Sequence, residues 1–280
     1  MFEIKIIESG YIMADGGAMF GAVPKRAWSR KYVSTDDNLC RLAMRCLLVV
    51  SSDRKILVDL GPGDKHLKEI SYYQPHLLAD IPKILASYGY DIVDITDIII
   101  THLHFDHCGY ATRKSDNGDI VPSFPNAKYW LSRKQWDTFN NPNRLEKDSF
   151  FSDNILPIYK NKQLYFVEND MQLYNGFELH IFDGHTSGQL VPYIQTNSGI
   201  ITFPGDLIPT AAHVPIEWIS AYDVSAETSL KEKERFLEQV VTQDFTIIYC
   251  HDEKNVCSKV KRLNGNYKAT ELLSVYQGTL

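Results

Sequence analysis

Three histidines and one aspartate lie within a short segment directly after a nearly continuous apolar run. The run ends at Ile100, and the four side chains are His102, His104, Asp106 and His107. Such a run predicts a buried strand, so these groups are expected at a strand end. Imidazole nitrogens and carboxylate oxygens suit zinc, manganese and iron. Because one short loop cannot wrap all four around a single tetrahedral ion, the first two histidines are predicted to bind one ion and the other two residues a second.

Other metal-competent residues also follow apolar strands. His185 comes shortly after a strand that ends at Phe182, Asp206 follows the run IITFP, and His251 follows FTIIYC. A lone histidine is most often a surface residue or a satisfied core residue, so each position alone is weak. The same placement at three strand ends predicts that these side chains complete a site for two ions.

Strand-like and helix-like segments alternate along the chain. Short segments rich in Val, Ile, Tyr and Phe predict strands at Phe2–Ile7, Met44–Val50, Lys55–Leu60, Ile95–Thr101, Lys128–Ser132, Leu164–Glu168, Phe177–Phe182, Val191–Thr196, Ile200–Phe203 and Phe245–Cys250. Helices are predicted at Leu77–Ser87, Arg133–Thr138, Ser229–Thr242 and around Tyr267–Val275. Ser229 and Glu232 are interpreted as a capping box. Irregular loops are predicted at Tyr11–Tyr32, Lys114–Asn126 and Asn140–Asp153.

The composition predicts one globular domain over residues 1–280. Apolar residues make up 44% of the chain and charged residues 23%, which excludes a disordered or fibrous class. The net charge of -6 disfavours general binding to nucleic acid or to an anionic membrane. The five cysteines form no CxxC pair, and neither a signal peptide nor a spanning apolar run is evident. These features predict a cytoplasmic protein with reduced thiols.

The candidate ligands together resemble the metallo-β-lactamase superfamily, whose pattern is HxHxDH, then a histidine, a bridging aspartate and a last histidine. The resemblance extends from Leu47 to His251. It implies an α+β fold, a four-layer αββα sandwich with a binuclear metal site at one edge. It also implies a first metal bound by His102, His104 and His185, a second bound by Asp106, His107 and His251, and a bridge formed by Asp206.

The resemblance further implies how such a site works. Two divalent cations, zinc first and manganese or iron as alternatives, would share a bridging hydroxide that attacks a carbonyl or phosphoryl centre. Asp106 and Asp206 are therefore counted as catalytic residues. Asp59 matches a family acidic residue that accepts a hydrogen bond from a ligand histidine. An aspartate beside Gly-Pro-Gly is also a common turn residue, and this alternative stays open.

Departures from other branches narrow the expected reaction. Secreted zinc β-lactamases of the commonest subclass have cysteine where this chain has Asp206, and the di-iron electron-transfer branch has glutamate at His104. The remaining resemblance is to homoserine lactonases and to methyl parathion hydrolase-like proteins. In the glycine-rich N-terminal segment, Met19, Phe20 and Trp28 would line an apolar substrate pocket, unless they only seal the edge of the sandwich.

The proton donor for the leaving group is the least defined part of the site. Some homoserine lactonases carry a tyrosine three residues after the bridging aspartate, and here that residue is Pro209. A leaving alkoxide benefits from a proton donor. His213 and Tyr222 lie nearby in the sequence and are candidates for this role.

These features predict a binuclear metal-dependent hydrolase that opens a lactone or related ester, as acyl-homoserine lactonases do. The alternative is a phosphotriester or phosphodiester hydrolase with the same site. A single-iron redox enzyme and a non-catalytic binding protein are two further classes, and metal content would separate them. The expected partner is a small ester or lactone, without nucleic acid or membrane, and a homodimer is left open.

Overall fold

The structure is a computed structural model that describes residues 1–274. Its strands are β1 (Glu3–Asp15), β2 (Leu39–Val50), β3 (Lys55–Val58), β4 (Asp97–Ile99), β5 (Thr112–Lys114), β6 (Ile120–Pro122), β7 (Lys128–Ser132), β8 (Leu164–Val167), β9 (Met171–Tyr174), β10 (Phe177–Phe182), β11 (Gln189–Thr196), β12 (Gly199–Thr202), β13 (Thr246–Ile248), β14 (Asn255–Leu263) and β15 (Asn266–Ser274). Its α-helices are α1 (Gly16–Phe20), α2 (Lys25–Trp28), α3 (Ile81–Ser87), α4 (Phe105–Cys108), α5 (Arg133–Asn140), α6 (Leu156–Lys160) and α7 (Ala226–Thr242).

Two sheets carry most of the strands. The first has the order β1-β2-β3-β4-β7-β8, and the second has the order β15-β14-β13-β12-β11-β10-β9. Strands β3, β4, β7 and β8 run parallel to one another, and β12 runs parallel to β13. Parallel strands are stable when both faces of the sheet are covered. This requirement explains why helices are needed outside the paired sheets.

The two sheets pack face to face, and helices cover their outer faces. In β2, Leu47 and Val49 lie in the core between the sheets, whereas Cys46 and Leu48 lie in the core beneath α3 and α6. On the opposite side, α7 packs on the outer face of the second sheet. Helix, sheet, sheet and helix follow one another in that order. The prediction of a four-layer α+β sandwich is confirmed.

The predicted strands all occur, and those at Lys128–Ser132 and Phe177–Phe182 have the predicted bounds. The first strand is longer than predicted, because β1 continues to Asp15 along β2. Its register shifts beside Gly10, whose φ of +139° suits glycine. This irregularity interrupts the apolar alternation. The segment Tyr11–Tyr32, predicted as an irregular loop, therefore contains the end of β1 together with α1 and α2.

The helix predicted around Tyr267–Val275 is wrong for the described residues. Asn266–Ser274 forms β15, which pairs antiparallel with β14, and Val275 lies outside the described residues. Between the two strands, Asn264 and Gly265 both have positive φ, as a two-residue hairpin turn requires. The Asn-Gly turn was the sequence signal for this hairpin.

The longest helix begins earlier than predicted. The side chain of Ser225 caps α7 by accepting a hydrogen bond from the backbone N–H of Thr228. Ser229 is buried inside the helix, and Glu232 accepts a hydrogen bond from the backbone N–H of Asp183. The capping box predicted for Ser229 and Glu232 is therefore wrong. Glu232 instead ties α7 to the segment that follows β10.

Within residues 1–274, no helix is long and apolar enough to cross a lipid bilayer.

Replacement of Phe236 by alanine is expected to lower the free energy of unfolding by about 3–5 kcal/mol, because it opens a cavity between α7 and the second sheet. Leu230 lies on the same helix and is 37% exposed, so Leu230→Ala is the control and should cost about 1 kcal/mol or less. Urea unfolding of both variants measures the difference. A loss below about 1 kcal/mol for Phe236→Ala would contradict the layered packing.

Candidate metal centre

Four strand ends meet at one edge of the sandwich. The segment after β4 carries His102 and leads into α4, whereas His185, Asp206 and His251 follow β10, β12 and β13. Gly205 has a φ of +52°, which allows the tight turn that presents Asp206. The convergence brings together all seven side chains that the sequence singled out as ligands.

A first group contains three histidines and one carboxylate. The ligand-type atoms of His102, His104, His185 and Asp206 lie within 4.8 Å of one another. His104 Nδ1 lies 3.2 Å from His185 Nε2, and Asp206 Oδ2 lies 3.3 Å from the same nitrogen. Tetrahedral zinc has ligand bonds of roughly 2.0 Å, which places neighbouring ligand atoms about 3.3 Å apart. The first group therefore has the dimensions of a metal site.

A second group contains Asp106, His107 and His251, whose ligand-type atoms also lie within 4.8 Å of one another. Asp106 Oδ2 lies 3.6 Å from His107 Nε2 and 3.5 Å from His251 Nε2. Asp206 also lies beside both rings: its Oδ1 is 3.4 Å from His107 Nε2 and 3.0 Å from His251 Nε2.

The carboxylate of Asp206 faces both groups with different oxygens. Oδ2 is directed towards the first group, and Oδ1 is directed towards the second. The backbone N–H of Asp206 donates to Gln189 Oε1, and the thiol of Cys250 lies 3.2 Å from Oδ1. Asp206 thus has the orientation that a bridging ligand needs.

The donor atoms fit divalent cations. His102 Nε2 and His107 Nε2 are buried and have no hydrogen-bond partner among residues 1–274. An unpartnered buried polar atom costs about 1–3 kcal/mol, and a bound cation would remove that cost. Burial lowers the pKa of His102 well below its ordinary value, which keeps its ring neutral, as metal binding requires.

The second group is rich in negative charge. Burial by itself lowers the pKa of His107, but the carboxylates of Asp106, Asp206 and Asp59 outweigh it and raise this pKa well above its ordinary value. The same negative charge attracts a metal cation, which competes with the proton for the ring nitrogen.

Each candidate histidine also has a neighbour on the side of its ring away from the centre. His107 Nδ1 donates to Asp59 Oδ2 at 2.8 Å, and Asp59 also accepts hydrogen bonds from the backbone and hydroxyl of Thr101. Such partners fix the tautomer and orientation of a ligand histidine. Asp59 is fully buried and has a φ of +56°, which is unusual for a residue other than glycine. The strained backbone conformation therefore occurs at the residue that holds the ring of His107.

The corresponding partners of the other rings were not recognised in the sequence. His185 Nδ1 donates to Asp223 Oδ1 at 2.9 Å, and His251 Nδ1 donates to the carbonyl of Ala43 at 2.7 Å. The remaining neighbours are Thr101 beside His102 Nδ1 and Glu146 beside His104 Nε2. Asp223 and Glu146 lie in irregular segments, where no periodic pattern marks a functional residue.

The two candidate proton donors, His213 and Tyr222, lie in different environments. His213 is 1% exposed, and its ring nitrogens contact Thr210 Oγ1 at 2.7 Å and the carbonyl oxygen of Met19 at 2.8 Å. The structure therefore does not bring His213 to the centre as a proton donor, because neighbouring groups occupy both nitrogens. Tyr222 lines the cavity above the centre.

That cavity has a volume of about 150 Å³ and is lined both by polar side chains of the centre and by apolar side chains that form a wall. The wall includes Ile12, Met19, Leu42 and Tyr73, and Pro209 also reaches the cavity surface. Of the three side chains predicted to line an apolar pocket, Met19 does so. Phe20 and Trp28 stack on each other at 4.9 Å in the buried core beneath it and seal the edge of the sandwich.

Comparison with known proteins agrees with this architecture. The sequence profile of the family described as the metallo-beta-lactamase superfamily matches residues 45–251. An N-acyl homoserine lactonase of Bacillus cereus is 25% identical over 230 residues, which cover 78% of this chain and 84% of the relative. An N-acyl homoserine lactonase of Bacillus thuringiensis has the same identity and coverage.

Solved structures share the fold over nearly the whole chain. A probable metal-dependent hydrolase from Staphylococcus aureus has a TM-score of 0.86 and 28% identity, and the match covers 97% of this chain and 98% of that one. The dizinc quorum-quenching lactonase AidC, in complex with a product, has a TM-score of 0.77 and 21% identity, with 96% and 94% covered.

The pH dependence of stability tests the position of His213. Burial lowers the pKa of His213 to about 3, so between that pH and about 6.5 the unfolded chain binds a proton that the folded chain does not. Proton uptake by His213 therefore does not affect the free energy of unfolding above about pH 6.5. As the pH falls below that value, the free energy of unfolding decreases by up to about 1.4 kcal/mol per pH unit.

The measurement is urea unfolding of wild type and His213→Gln from pH 4.5 to 7.5. The variant is expected to show the shallower loss of stability on acidification, while its turnover at neutral pH stays within a few-fold of wild type. Identical pH slopes, or a turnover reduced about 100-fold, would contradict this assignment of His213.

Proposed function

Because the chain belongs to the metallo-β-lactamase superfamily and is a metal-dependent hydrolase, we propose that it opens a lactone or a related small ester at a binuclear metal centre. The observation that carries this proposal is the division of the Asp206 carboxylate between the two groups of side chains. A carboxylate with one oxygen towards each group is suited to hold two ions side by side.

The proposal assigns a role to every candidate ligand. The first ion is held by His102, His104 and His185, the second by Asp106, His107 and His251, and both by Asp206. Asp59 holds the ring of His107 in place through their 2.8 Å hydrogen bond. Zinc is the first choice of metal, and manganese or iron are alternatives, because this donor set suits all three.

Divalent cations at such a centre polarise a carbonyl oxygen and lower the pKa of water. The chain's own residues bind and orient the substrate around that chemistry. Met19, Leu42 and Tyr73 form an apolar wall that packs against the substituent of the ester. Asp106 also reaches the cavity, and its carboxylate would accept the proton lost by the attacking water and pass it to the alkoxide that leaves when the ester C–O bond breaks.

Tyr222 is proposed as a hydrogen-bond donor to the substrate. It lines the cavity, as does Pro209, which carries no side-chain donor group. Burial raises the pKa of Tyr222, so its hydroxyl keeps its proton at neutral pH. A protonated phenol can stabilise negative charge on the leaving oxygen.

The relatives support a lactone as the substrate class. The curated proteins that match over 78% of this chain are named N-acyl homoserine lactonases. An ester or lactone is therefore the first substrate class to test.

The first experiment is metal analysis of the purified protein, followed by a hydrolysis panel of acyl-homoserine lactones, an aryl ester, a phosphotriester and a phosphodiester. We expect two equivalents of zinc or manganese and turnover of a lactone. Asp206→Asn should lose turnover by about 100-fold or more, since it weakens a ligand shared by both ions. Asp244→Asn removes an exposed charge and should leave both measurements unchanged.

Other outcomes of this experiment have defined meanings. Two metals with turnover of phosphoesters alone would replace the lactone assignment by a phosphotriester or phosphodiester hydrolase. Less than one metal per chain, not restored by added zinc or manganese, would contradict the binuclear centre.

Tyr222→Phe tests the proposed donor. Removal of the hydroxyl is expected to lower kcat about tenfold for a lactone, whose alkoxide leaves poorly, and less for an aryl ester, whose phenolate leaves more easily. Tyr159→Phe, at a half-exposed tyrosine on α6, is the control. An equal loss on both substrates would contradict a role at the leaving oxygen.

A further inference from the structure

Glu146 is a buried acidic side chain beside the centre that is not one of the seven candidate ligands. It is 4% exposed, although it lies in a polar segment between α5 and α6, and it lines the cavity. Oε2 accepts a hydrogen bond from Thr186 Oγ1 at 2.6 Å, and Oε1 accepts one from Asn143 Nδ2 at 2.5 Å. The same Oε2 lies 3.5 Å from His104 Nε2.

The hydrogen bond from Thr186 belongs to a directed series of bonds. The backbone N–H of Leu103 donates to Gln135 Oε1 at 2.9 Å, and Gln135 Nε2 donates to Thr186 Oγ1 at 3.0 Å. The Thr186 hydroxyl therefore accepts from Gln135 and uses its own hydrogen to donate to Glu146. Gln135 Nε2 also donates to the carbonyl of Ser187 at 2.9 Å. Gln135 is thereby fixed on both of its donor contacts, and through Thr186 it holds the carboxylate oxygen beside His104 in position.

The series of hydrogen bonds connects two consecutive residues. It begins at the backbone N–H of Leu103 and ends at the carboxylate of Glu146, which faces the ring of His104. Gln135 and Thr186 are fully buried, so water does not compete for these bonds. Thr186 also follows His185 directly, and the series thereby links two of the segments that supply the first group.

The orientation of the His104 ring determines which of its two nitrogens faces the first group. Its Nδ1 lies 3.2 Å from His185 Nε2, so Nδ1 faces the first group. A neutral imidazole carries one proton, and a free lone pair on Nδ1 requires that proton on Nε2. His104 Nε2 is buried and has no partner at hydrogen-bond geometry among the described residues, and Glu146 Oε2 lies 3.5 Å from it.

We propose that Glu146 is a positioning residue, which keeps the proton of His104 on Nε2 and the lone pair of Nδ1 directed at the first metal. The proposal rests on the proposed function, because it takes the first group as a metal site. Glu146 acts through His104, and the Gln135–Thr186 pair holds Glu146.

The test uses Glu146→Gln, Thr186→Val and a control, Glu168→Gln, which removes an exposed carboxylate paired with Arg133. Zinc binding to each metal-free protein is measured by competition with a chromophoric chelator. In Glu146→Gln one of the two equivalents should bind about 10–100-fold more weakly, and the other should bind as in wild type. Thr186→Val should change the same equivalent by a smaller factor, and the control should change neither.

Thermal unfolding with and without zinc separates positioning from a merely structural role. A positioning role predicts similar Tm values for wild type and Glu146→Gln without metal, and a smaller zinc-induced rise in Tm for the variant. A Tm lowered equally with and without zinc, or unchanged affinity for both equivalents, would overturn the proposal.

The two proposals fail in different ways. A wild-type protein that binds a single equivalent contradicts the binuclear centre, whereas the comparison of that equivalent between wild type and Glu146→Gln still decides the role of Glu146. Wild-type binding of two equivalents with no effect of either Glu146→Gln or Thr186→Val contradicts the positioning role alone.

Discussion

A neutral imidazole has two nitrogens, of which only one carries a proton, and this property determines which groups must surround the histidines at the edge of the sandwich. A buried histidine can direct a lone pair at a metal only if its proton lies on the other nitrogen, beside an acceptor. The centre contains five histidines, so acceptors must reach them from several parts of the fold. Asp59 follows β3, Ala43 lies in β2, and Asp223 precedes α7. The requirement thereby connects both sheets to one site.

The sequence alone predicts the position of a residue where a local residue pattern reflects a requirement of the tertiary fold. Strands buried on both faces appear as continuous apolar runs, and the residues directly after such runs lie at the edge of the sheet. His185, Asp206 and His251 are therefore predicted near the His102 segment from the sequence alone. The role expected for Asp59 followed from the resemblance to the family, which has an acidic residue after an early strand. The layer order followed from the resemblance of the ligand pattern.

The sequence was insufficient where the role of a residue depends on distant contacts. His213 has the same chemistry as the candidate ligands, and only its contacts with Thr210 and the carbonyl of Met19 distinguish it from them. Glu146 and Asp223 lie in irregular segments without any local signal. The Asn264-Gly265 dipeptide is a local signal for a two-residue hairpin turn, and the helix predicted around Tyr267–Val275 did not take it into account.

The walls of the cavity and the candidate ligands come from largely separate parts of the chain. Met19 and Leu42 belong to α1 and β2, which contribute no ligand, so their size and shape can change without touching the metal centre. A redesign of substrate preference should begin at these positions. The segment around Glu146 is different, because Leu145 lies in the cavity wall beside a carboxylate that faces His104. With the role proposed for Glu146, insertions or deletions there would alter selectivity and metal retention together.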